Sequence, residues 1–580
     1  MTLEQWLMVI VFFTTLVSLI KYQQSSPSVF AITTLACLLL SFVSSKEILN
    51  NAVNPGLVTL ILLVLCSFAL ERTSLLRRLS SHIFNGSKAK SITRLLLGTA
   101  LASAFISNTA VVATLIQTVK KNTLINPGKL LIPLSFAAIL GGTLTLVGTS
   151  TNLIVNSLMI EQGQESFQFF DFTLVGIVAM TLCLIVVIIT AKKLPLLNQD
   201  NEHSDKYLLE AKVSTDSLLI GKTIDENGLR NLDALFLVEI MRNGRLISPI
   251  SPEEVIEAQD VLIFSGDISK ILTLQQFDGL VLFAEQDNLL HDNVLKDNLT
   301  EVLIKTDSSI SGKTLKKSGF RARFDAAVVA IKREGSPLSG KLGDIVLQSG
   351  DFLVLAVGAD FSSRSNLSKN FFILSGHQAD NMLSGWRNKV TIWGFIGAIT
   401  TSILSSFTLL NCLFVYLAML IFSKCLNVNE IKRRFPLEIW MIVLGALTLA
   451  TAIENTGIAQ VIAQSMEQWL QGESIYLIFA ILFLATLLLT ELITNAAAAA
   501  LIFPIAYNMA LGLNVDPTPF VMAVAFGASG SFISPYGYQT NVMIYNAGNY
   551  TLKDFVKFGA PISLIYTLSV LMMIPLVFPF

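Results

Sequence analysis

Charge is what this sequence has least of. Asp, Glu, Lys and Arg together make up 14% of its 580 residues, against about a quarter in soluble chains. With a mean hydropathy of +0.64, that scarcity places most of the chain among membrane proteins, and a net charge of -1 gives no basis for a nucleic-acid partner. Histidine is rarer still. His82, His203, His291 and His377 are the only four, and all lie outside the apolar runs, so a histidine proton relay within the bilayer is not expected. The five cysteines, Cys37, Cys66, Cys183, Cys412 and Cys425, are scattered through apolar segments. Neither a disulfide framework nor a zinc site follows from that spacing, and they read as packing residues. There is no G-x-G-x-x-G dinucleotide fingerprint and no T-V-G-Y-G pore filter, which argues against a nucleotide cofactor and against a potassium channel. The opening MTLEQWLMVIVFFTTLVSLIK has no basic leader or small-residue cleavage site and is expected to be a retained span rather than a signal peptide.

What the chain does have is long apolar runs in two blocks around a polar middle. A helix needs about 20 mostly apolar residues to cross the hydrocarbon core. On that measure spans are predicted near 4–20, 28–45, 54–71, 130–158 and 171–191, with an extra apolar region at 92–119. The expected division is a first membrane repeat over 1–196, with a hairpin at 92–119 and a broken helix at 130–158. Two soluble modules follow over 205–288 and 296–378, and then a second membrane repeat over 386–580, with a hairpin at 475–510 and a broken helix at 518–546. The second membrane block repeats the first in order. Glu71-Arg72-Thr73 stands opposite Glu454-Asn455-Thr456, Ser107-Asn108 opposite Thr494-Asn495, Thr151-Asn152 opposite Thr540-Asn541, and FDFTLVG at 170–176 opposite KDFVKFG at 553–559.

If 92–119 enters and leaves on one side, each half keeps five true spans, and an odd number inverts the second half against the first. The basic residues agree. Arg77, Arg78, Lys88, Lys90, Arg94, Lys120, Lys121, Lys129, Lys192, Lys193, Lys432, Arg433, Arg434, Lys553 and Lys557 fall on one side together with the soluble block, while Glu161, Glu165, Glu467, Glu473 and Asp516 fall on the other. By the positive-inside rule the insert is then cytoplasmic and both termini are outside, in a cell membrane expected to be a bacterial inner membrane. The predicted fold is a polytopic α-helical membrane protein of two inverted repeats, each of five transmembrane helices plus a re-entrant hairpin, with a tandem α+β cytoplasmic insert.

The triplet Ser107-Asn108-Thr109 inside an apolar segment has two readings. The hydroxyls can bond the carbonyl one turn back while Asn108 pins a neighbouring helix. Alternatively it is a hairpin tip near the midplane, where freed helix N-termini favour an anion and unwound carbonyls hold a cation. Its recurrence at Thr494-Asn495 favours the tip. Ser103 and Thr490 each lie four residues before their motif, on the same helix face, and add hydroxyls suited to a small hard cation. The stretches GGTLTLVGTSTN (141–152) and GASGSFISPYGYQTN (527–541) predict broken helices, tolerated in a membrane only where they are buried in protein or line a cavity.

The S-x-x-x-S-N-T and T-x-x-x-T-N tips, the GTSTN and PYGYQTN breaks and the paired halves resemble the divalent anion:sodium symporter family, over roughly the two membrane blocks. That resemblance implies a homodimer whose transport domain moves like an elevator against a scaffold. It implies one sodium site lined by Ser103, Ser107, Asn108 and Gly148 and another by Thr490, Thr494, Asn495 and Gly537. The substrate would touch Ser107, Asn108, Thr109, Thr149, Thr494 and Asn495. One departure matters: the second triplet reads Thr494-Asn495-Ala496, without the closing hydroxyl of dicarboxylate-type members. A two-ended dicarboxylate then loses a hydrogen bond at one end, and Tyr538 and Gln539 shrink the pocket. Sulfate is therefore the expected substrate, with a C4 dicarboxylate or citrate next. Glu491 is the one carboxylate placed deep in a hairpin and is a candidate coupling carboxylate. The neutral lining otherwise favours sodium over protons, and no cofactor beyond sodium ions is expected.

The soluble block repeats itself: SLLIGKTIDENGLRNLDALFLVEIMRNGRLISP (217–249) aligns without gaps to SSISGKTLKKSGFRARFDAAVVAIKREGSPLSG (308–340), and Asp260 falls opposite Asp351. Short alternating strands with glycine turns, and a G-K-T that opens a short helix, indicate compact α+β modules. They resemble the C-terminal subdomains of potassium-conductance regulators (TrkA-C, or RCK-C). That resemblance raises a ligand-gated ion channel as a reading of another class, and leaves an assembly module or a small-ligand sensor as roles for the insert.

Overall fold

The computed structural model describes the chain apart from residues 197–207, 267–276, 283–298, 374–382, 459–460 and 462–473, and one to three residues at a time elsewhere. His203, His291 and His377 lie outside the described residues. Two compact units form. One comprises Met1–Pro195, Asn381–Ile544 and Thr551–Phe580, the other Leu196–Asp380 with Tyr545–Tyr550.

The first unit is helical. Among the described residues, seven helical segments are long and apolar enough to cross a membrane: Leu3–Lys21, Ser45–Glu71, Thr173–Thr190, Leu437–Asn455, Ile475–Leu492, Asn495–Gly512 and Leu552–Val577. Shorter apolar helices run over Ser26–Leu39, Pro127–Gly142, Leu409–Phe422 and Pro517–Ser529. Their starts follow local chemistry. Asn54 and Asp516 each precede a proline and accept a bond from the backbone N–H two residues on, at 2.8 Å from Gly56 and 2.7 Å from Thr518. Proline has no N–H to lose at the first helical position, and the cap satisfies one that would be orphaned. The outer faces stay apolar, as bilayer contact requires: Trp6, Leu39, Trp393, Phe422 and Leu576 are all exposed. All five cysteines are buried and unpaired.

The two halves are tied by matching contacts. Arg72 Nη1 donates to Glu430 at 3.1 Å and to the Cys425 carbonyl at 3.3 Å. Asn455 Nδ2 donates to Glu47 at 3.1 Å and to the Phe42 carbonyl at 3.0 Å. Glu430 and Glu47 are each the third residue of a short helix and close a capping box with Asn427 and Ser44. The ERT and ENT motifs therefore both reach a helix-start glutamate of the opposite half, once as an ion pair and once as a neutral bond. Arg72 and Glu430 are about one-fifth exposed, so their coupling should exceed that of a surface pair. A double-mutant cycle of Arg72→Ala and Glu430→Ala, read by thermal unfolding in detergent, is expected to give a coupling of about 1–2 kcal/mol; additive effects would show that the bond contributes nothing.

The second unit holds two sheets. Strands β1 (Leu208–Val213), β2 (Leu235–Arg242), β3 (Arg245–Ile247), β4 (Val261–Gly266) and β5 (Leu280–Leu282) pair antiparallel in the order β3-β2-β4-β1-β5. Strands β6 (Leu299–Ile304), β7 (Ala326–Arg333), β8 (Ser336–Pro337), β9 (Phe352–Val357) and β10 (Phe371–Ile373) take the equivalent order β10-β6-β9-β7-β8. Even the irregularities coincide, with register shifts at Leu237/Glu239 and at Val328/Ala330. The aligned aspartates have one function in common. Asp260 is gripped by Arg242 through two bonds of 2.9 Å, and Asp351 by Arg333 at 2.7 and 2.8 Å. Both carboxylates are fully buried, where a two-pronged guanidinium supplies the geometry that makes a buried charge tolerable. The short helix expected after G-K-T forms in the second sheet's module, at Leu315–Ser318 under a Thr314 cap. In the first module the stretch after Thr223 is a set of turns. There Asn227 bonds the Leu219 carbonyl at 2.9 Å, offering the backbone an alternative to helix.

Candidate functional site

Each apolar half contains two interrupted helices, and the interruptions face each other. In the first half four residues separate Lys88–Ser103 from Asn108–Lys120, and Leu131–Gly142 gives way to Ser150–Glu161. In the second half Ile475–Leu492 is followed after a short break by Asn495–Gly512, and Pro517–Ser529 after a longer one by Gln539–Ala547. Four helix N-termini and four C-termini therefore open at these gaps, presenting unpaired N–H and C=O groups to whatever occupies them.

The tips are built alike. Ser103 Oγ donates to Asn108 Oδ1, and Thr490 Oγ1 to Asn495 Oδ1 at 3.3 Å. In each case the residue one turn ahead of the motif bonds the asparagine, and both asparagines are buried. Thr494 caps its helix by accepting from Ala497 N at 3.4 Å, while Ser107 is half-buried in the gap before Asn108. The breaks are alike too. Asn152 Nδ2 holds the Thr145 carbonyl at 2.9 Å, and Asn541 Nδ2 reaches those of Ser531 at 3.0 Å and Ser534 at 3.4 Å. Gly148 packs so tightly that a Cβ there would lie 2.3 Å from the Gly142 carbonyl oxygen, and one on Gly142 would lie 2.7 Å from Asn108 Nδ2. Gly537 is equally close to the second tip, 2.8 Å from the Thr490 carbonyl by the same measure. Ser103, Asn108 and Gly148 are thus gathered at the first tip, and Thr490, Asn495 and Gly537 at the second.

A chain of polar contacts joins the tips. Asn108 Nδ2 donates to Tyr538 Oη at 2.7 Å, Tyr538 Oη lies 3.2 Å from Thr149 Oγ1, and Thr149 Oγ1 lies 3.1 Å from Thr151 Oγ1. Thr151 Oγ1 meets Ser529 Oγ at 2.6 Å, and the single Thr490 hydroxyl proton is shared between Asn495 Oδ1 and the carbonyl of the preceding Ala528, the latter at 2.8 Å. The crossing is reciprocated by Ser135 Oγ, 2.8 Å from Thr540 Oγ1 and 2.7 Å from Asn541 Oδ1. Thr109 Oγ1 donates to Gln539 Oε1 at 3.3 Å. Every member of this network is uncharged. It therefore offers neutral oxygens to a cation and N–H and O–H donors to an anion, without a fixed countercharge.

Sequence reasoning left the partners of three features of the site unassigned. Tyr538 and Gln539 read as bulk, yet they bond Asn108, Thr149 and Thr109. Ser135 belongs to no motif, and Ser529 lies in the GASGSFISPYGYQTN break without a role assigned there; the signal for both is that they are polar residues inside otherwise apolar helices. The third concerns Glu491. Its carboxylate accepts from the backbone N–H groups of Phe532 at 3.0 Å, Ile533 at 3.0 Å and Ser534 at 2.7 Å, and from Ser531 Oγ at 3.2 Å. It caps the second break, taking up N–H groups left unpaired where the helix ends. Among the described residues no group of three or more His, Cys, Asp or Glu could hold a metal ion.

Comparison with known proteins bears on this geometry. A family model described as citrate transporter matches residues 9–527. An uncharacterized transporter of Synechocystis is 29% identical over 566 residues, covering 93% of this chain and 92% of its own length. An uncharacterized transporter of Escherichia coli is 26% identical over 568 residues, covering 92% of each. Sodium/sulfate cotransporter 1 of Chlamydomonas reinhardtii is 28% identical over 367 residues, covering 61% of this chain and 41% of its own.

Proposed function

The chain belongs to the citrate transporter family and is an integral membrane transporter, not an enzyme; from that premise we propose that it takes up sulfate together with sodium. The observation that carries this reading is the uncharged network joining the two tips through Asn108, Tyr538, Thr149, Thr151 and Ser529 to Thr490 and Asn495. A dianion in such a site is balanced by helix N-termini and by co-bound cations, so binding of one species requires the other, which is the physical content of symport. Sodium suits neutral oxygen ligands, and Glu491 is already engaged by four donors. Ser103, Ser107, Asn108 and Gly148 line one sodium site, and Thr490, Thr494, Asn495 and Gly537 the other. Ser107, Asn108, Thr109, Thr149, Thr494 and Asn495 touch the anion. The sodium/sulfate cotransporter among the relatives supports the same pair of substrates.

In this proposal the two halves are inverted repeats, the breaks and hairpins ride on a transport domain, and alternating access is elevator-like within a homodimer. The insert is cytoplasmic, both termini are outside, and the two sheet modules are TrkA-C-like domains that assemble the protomers or bind a small ligand. Citrate or a C4 dicarboxylate is the second reading, favoured by the family description itself.

Reconstituted vesicles decide between them. With an inward sodium gradient, radiolabelled sulfate is expected to accumulate at least tenfold above its equilibrium level, whereas a proton gradient alone gives no accumulation. Uptake of citrate or succinate with sulfate excluded, or uptake driven by protons alone, would overturn the assignment.

A further inference from the structure

Resting on that reading of the site, we propose that Tyr538 sets the length of anion the site admits and that its hydroxyl is itself an anion ligand. Three of the six side chains assigned to the substrate, Asn108, Thr109 and Thr149, are bonded by two adjacent residues of the second break. Tyr538 Oη is 2.7 Å from Asn108 Nδ2 and 3.2 Å from Thr149 Oγ1, and Gln539 Oε1 takes the Thr109 hydroxyl at 3.3 Å. Tyr538 is half-buried and Thr149 buried.

The chemistry of these groups is specific. Thr149 precedes the helix Ser150–Glu161, yet its hydroxyl makes no capping bond to that helix and is directed to Tyr538 and Thr151 instead. Asn108 spends its oxygen on Ser103 and has its amide N–H groups toward Tyr538. A phenol hydroxyl both donates and accepts, and rotates to suit. It therefore serves as acceptor for Asn108 in the arrangement seen, and as a donor when an oxyanion arrives between the same groups. Asn108, Thr149 and Tyr538 then converge on one anionic centre, while the ring of Tyr538 and the amide of Gln539 occupy the second-break side of the first tip, where the far end of a longer anion would extend. A compact one-centre oxyanion leaves that ring in place, whereas a two-ended dicarboxylate must displace it and strip Asn108 and Thr149 of a partner. Sites of this kind reject the misfitting ligand strongly because buried polar groups are left unpaired.

The test is ligand binding by the full-length protein, purified in detergent with saturating sodium, titrated with sulfate, phosphate, molybdate, succinate and citrate and followed by calorimetry. Tyr538→Phe keeps the ring and loses the hydroxyl; it is expected to weaken sulfate about tenfold and still to exclude succinate. Tyr538→Ala is expected to weaken sulfate similarly and to gain succinate binding by at least tenfold. Phe is near-isosteric, so folding of that variant keeps the ligand half testable, and Gln539→Ala, expected to relax succinate exclusion, tests the length half if Tyr538→Ala does not fold. Wild-type affinity for sulfate in both Tyr538 variants, with succinate still excluded from Tyr538→Ala and Gln539→Ala, would overturn the inference and leave the sulfate assignment standing. A wild type that binds phosphate or molybdate in place of sulfate would overturn that assignment and leave the inference standing. One that binds succinate and excludes sulfate would overturn both.

Discussion

Asn108→Ala and Asn495→Ala are each expected to lower sodium-dependent uptake at least a hundredfold while the protein still reaches the membrane. Each asparagine sits at the first residue of a helix, buried, with its side-chain oxygen bonded by a hydroxyl one turn earlier. In the proposed site the same side chain gives its oxygen to sodium and its N–H groups to the anion. Bonds to charged groups contribute about 1.5–3 kcal/mol each, so losing two amounts to a factor of roughly a hundred to well over a thousand. A purely structural asparagine predicts something else. Removal of Asn108 orphans Ser103, removal of Asn495 leaves Thr490 with the Ala528 carbonyl alone, and either lowers thermal stability with uptake per molecule at the surface largely kept. Uptake normalised to surface protein separates the two, and near-normal values in either variant would sink the site assignment.

Glu491 is the second residue whose replacement should have a large effect, through the backbone it holds. Glu491→Ala leaves three backbone N–H groups and the Ser531 hydroxyl without their acceptor, and each unsatisfied buried donor costs about 1–3 kcal/mol. A loss of several kcal/mol is expected, seen as a marked fall in unfolding temperature and as lost uptake. Glu491→Gln retains one acceptor oxygen but turns an N–H group toward other N–H donors, so partial recovery is expected. The decisive readout is the driving ion. If the carboxylate is a cap, uptake by Glu491→Gln stays driven by sodium and unresponsive to a proton gradient, at reduced rate. If instead wild-type uptake follows a proton gradient and Glu491→Gln abolishes that response while remaining folded, the carboxylate is the coupling group and the capping account of its role fails.

The comparison of these two positions shows what can be read along a chain and what cannot. Asn108 and Asn495 stand out in sequence because polar triplets are rare in apolar runs and because the pattern occurs twice. Glu491 stands out equally, yet its role was not legible. A lone carboxylate in a hairpin looks the same whether it faces a proton path or a set of backbone N–H groups 41 to 43 positions away. The insert shows the same division. Asp260 and Asp351 align in the tandem repeat, but their partners Arg242 and Arg333 are found only when β2 meets β4 and β7 meets β9.

By itself the sequence determined the helical membrane character, the two blocks around a polar insert, the pair of strand-rich modules and the positions where polar groups interrupt apolar helices. These are set by local quantities: hydropathy over a helix length, period-two alternation, glycine and the capping residues. Tertiary structure alone decided which interruptions meet. It brought Tyr538 to Asn108 across 430 positions and Thr151 to Ser529 across 378, and turned Glu491 onto the backbone of the second break. Buried polar groups must find partners, but which partner is within reach depends on how the helices pack, and a composition pattern repeated in two halves carries no distances.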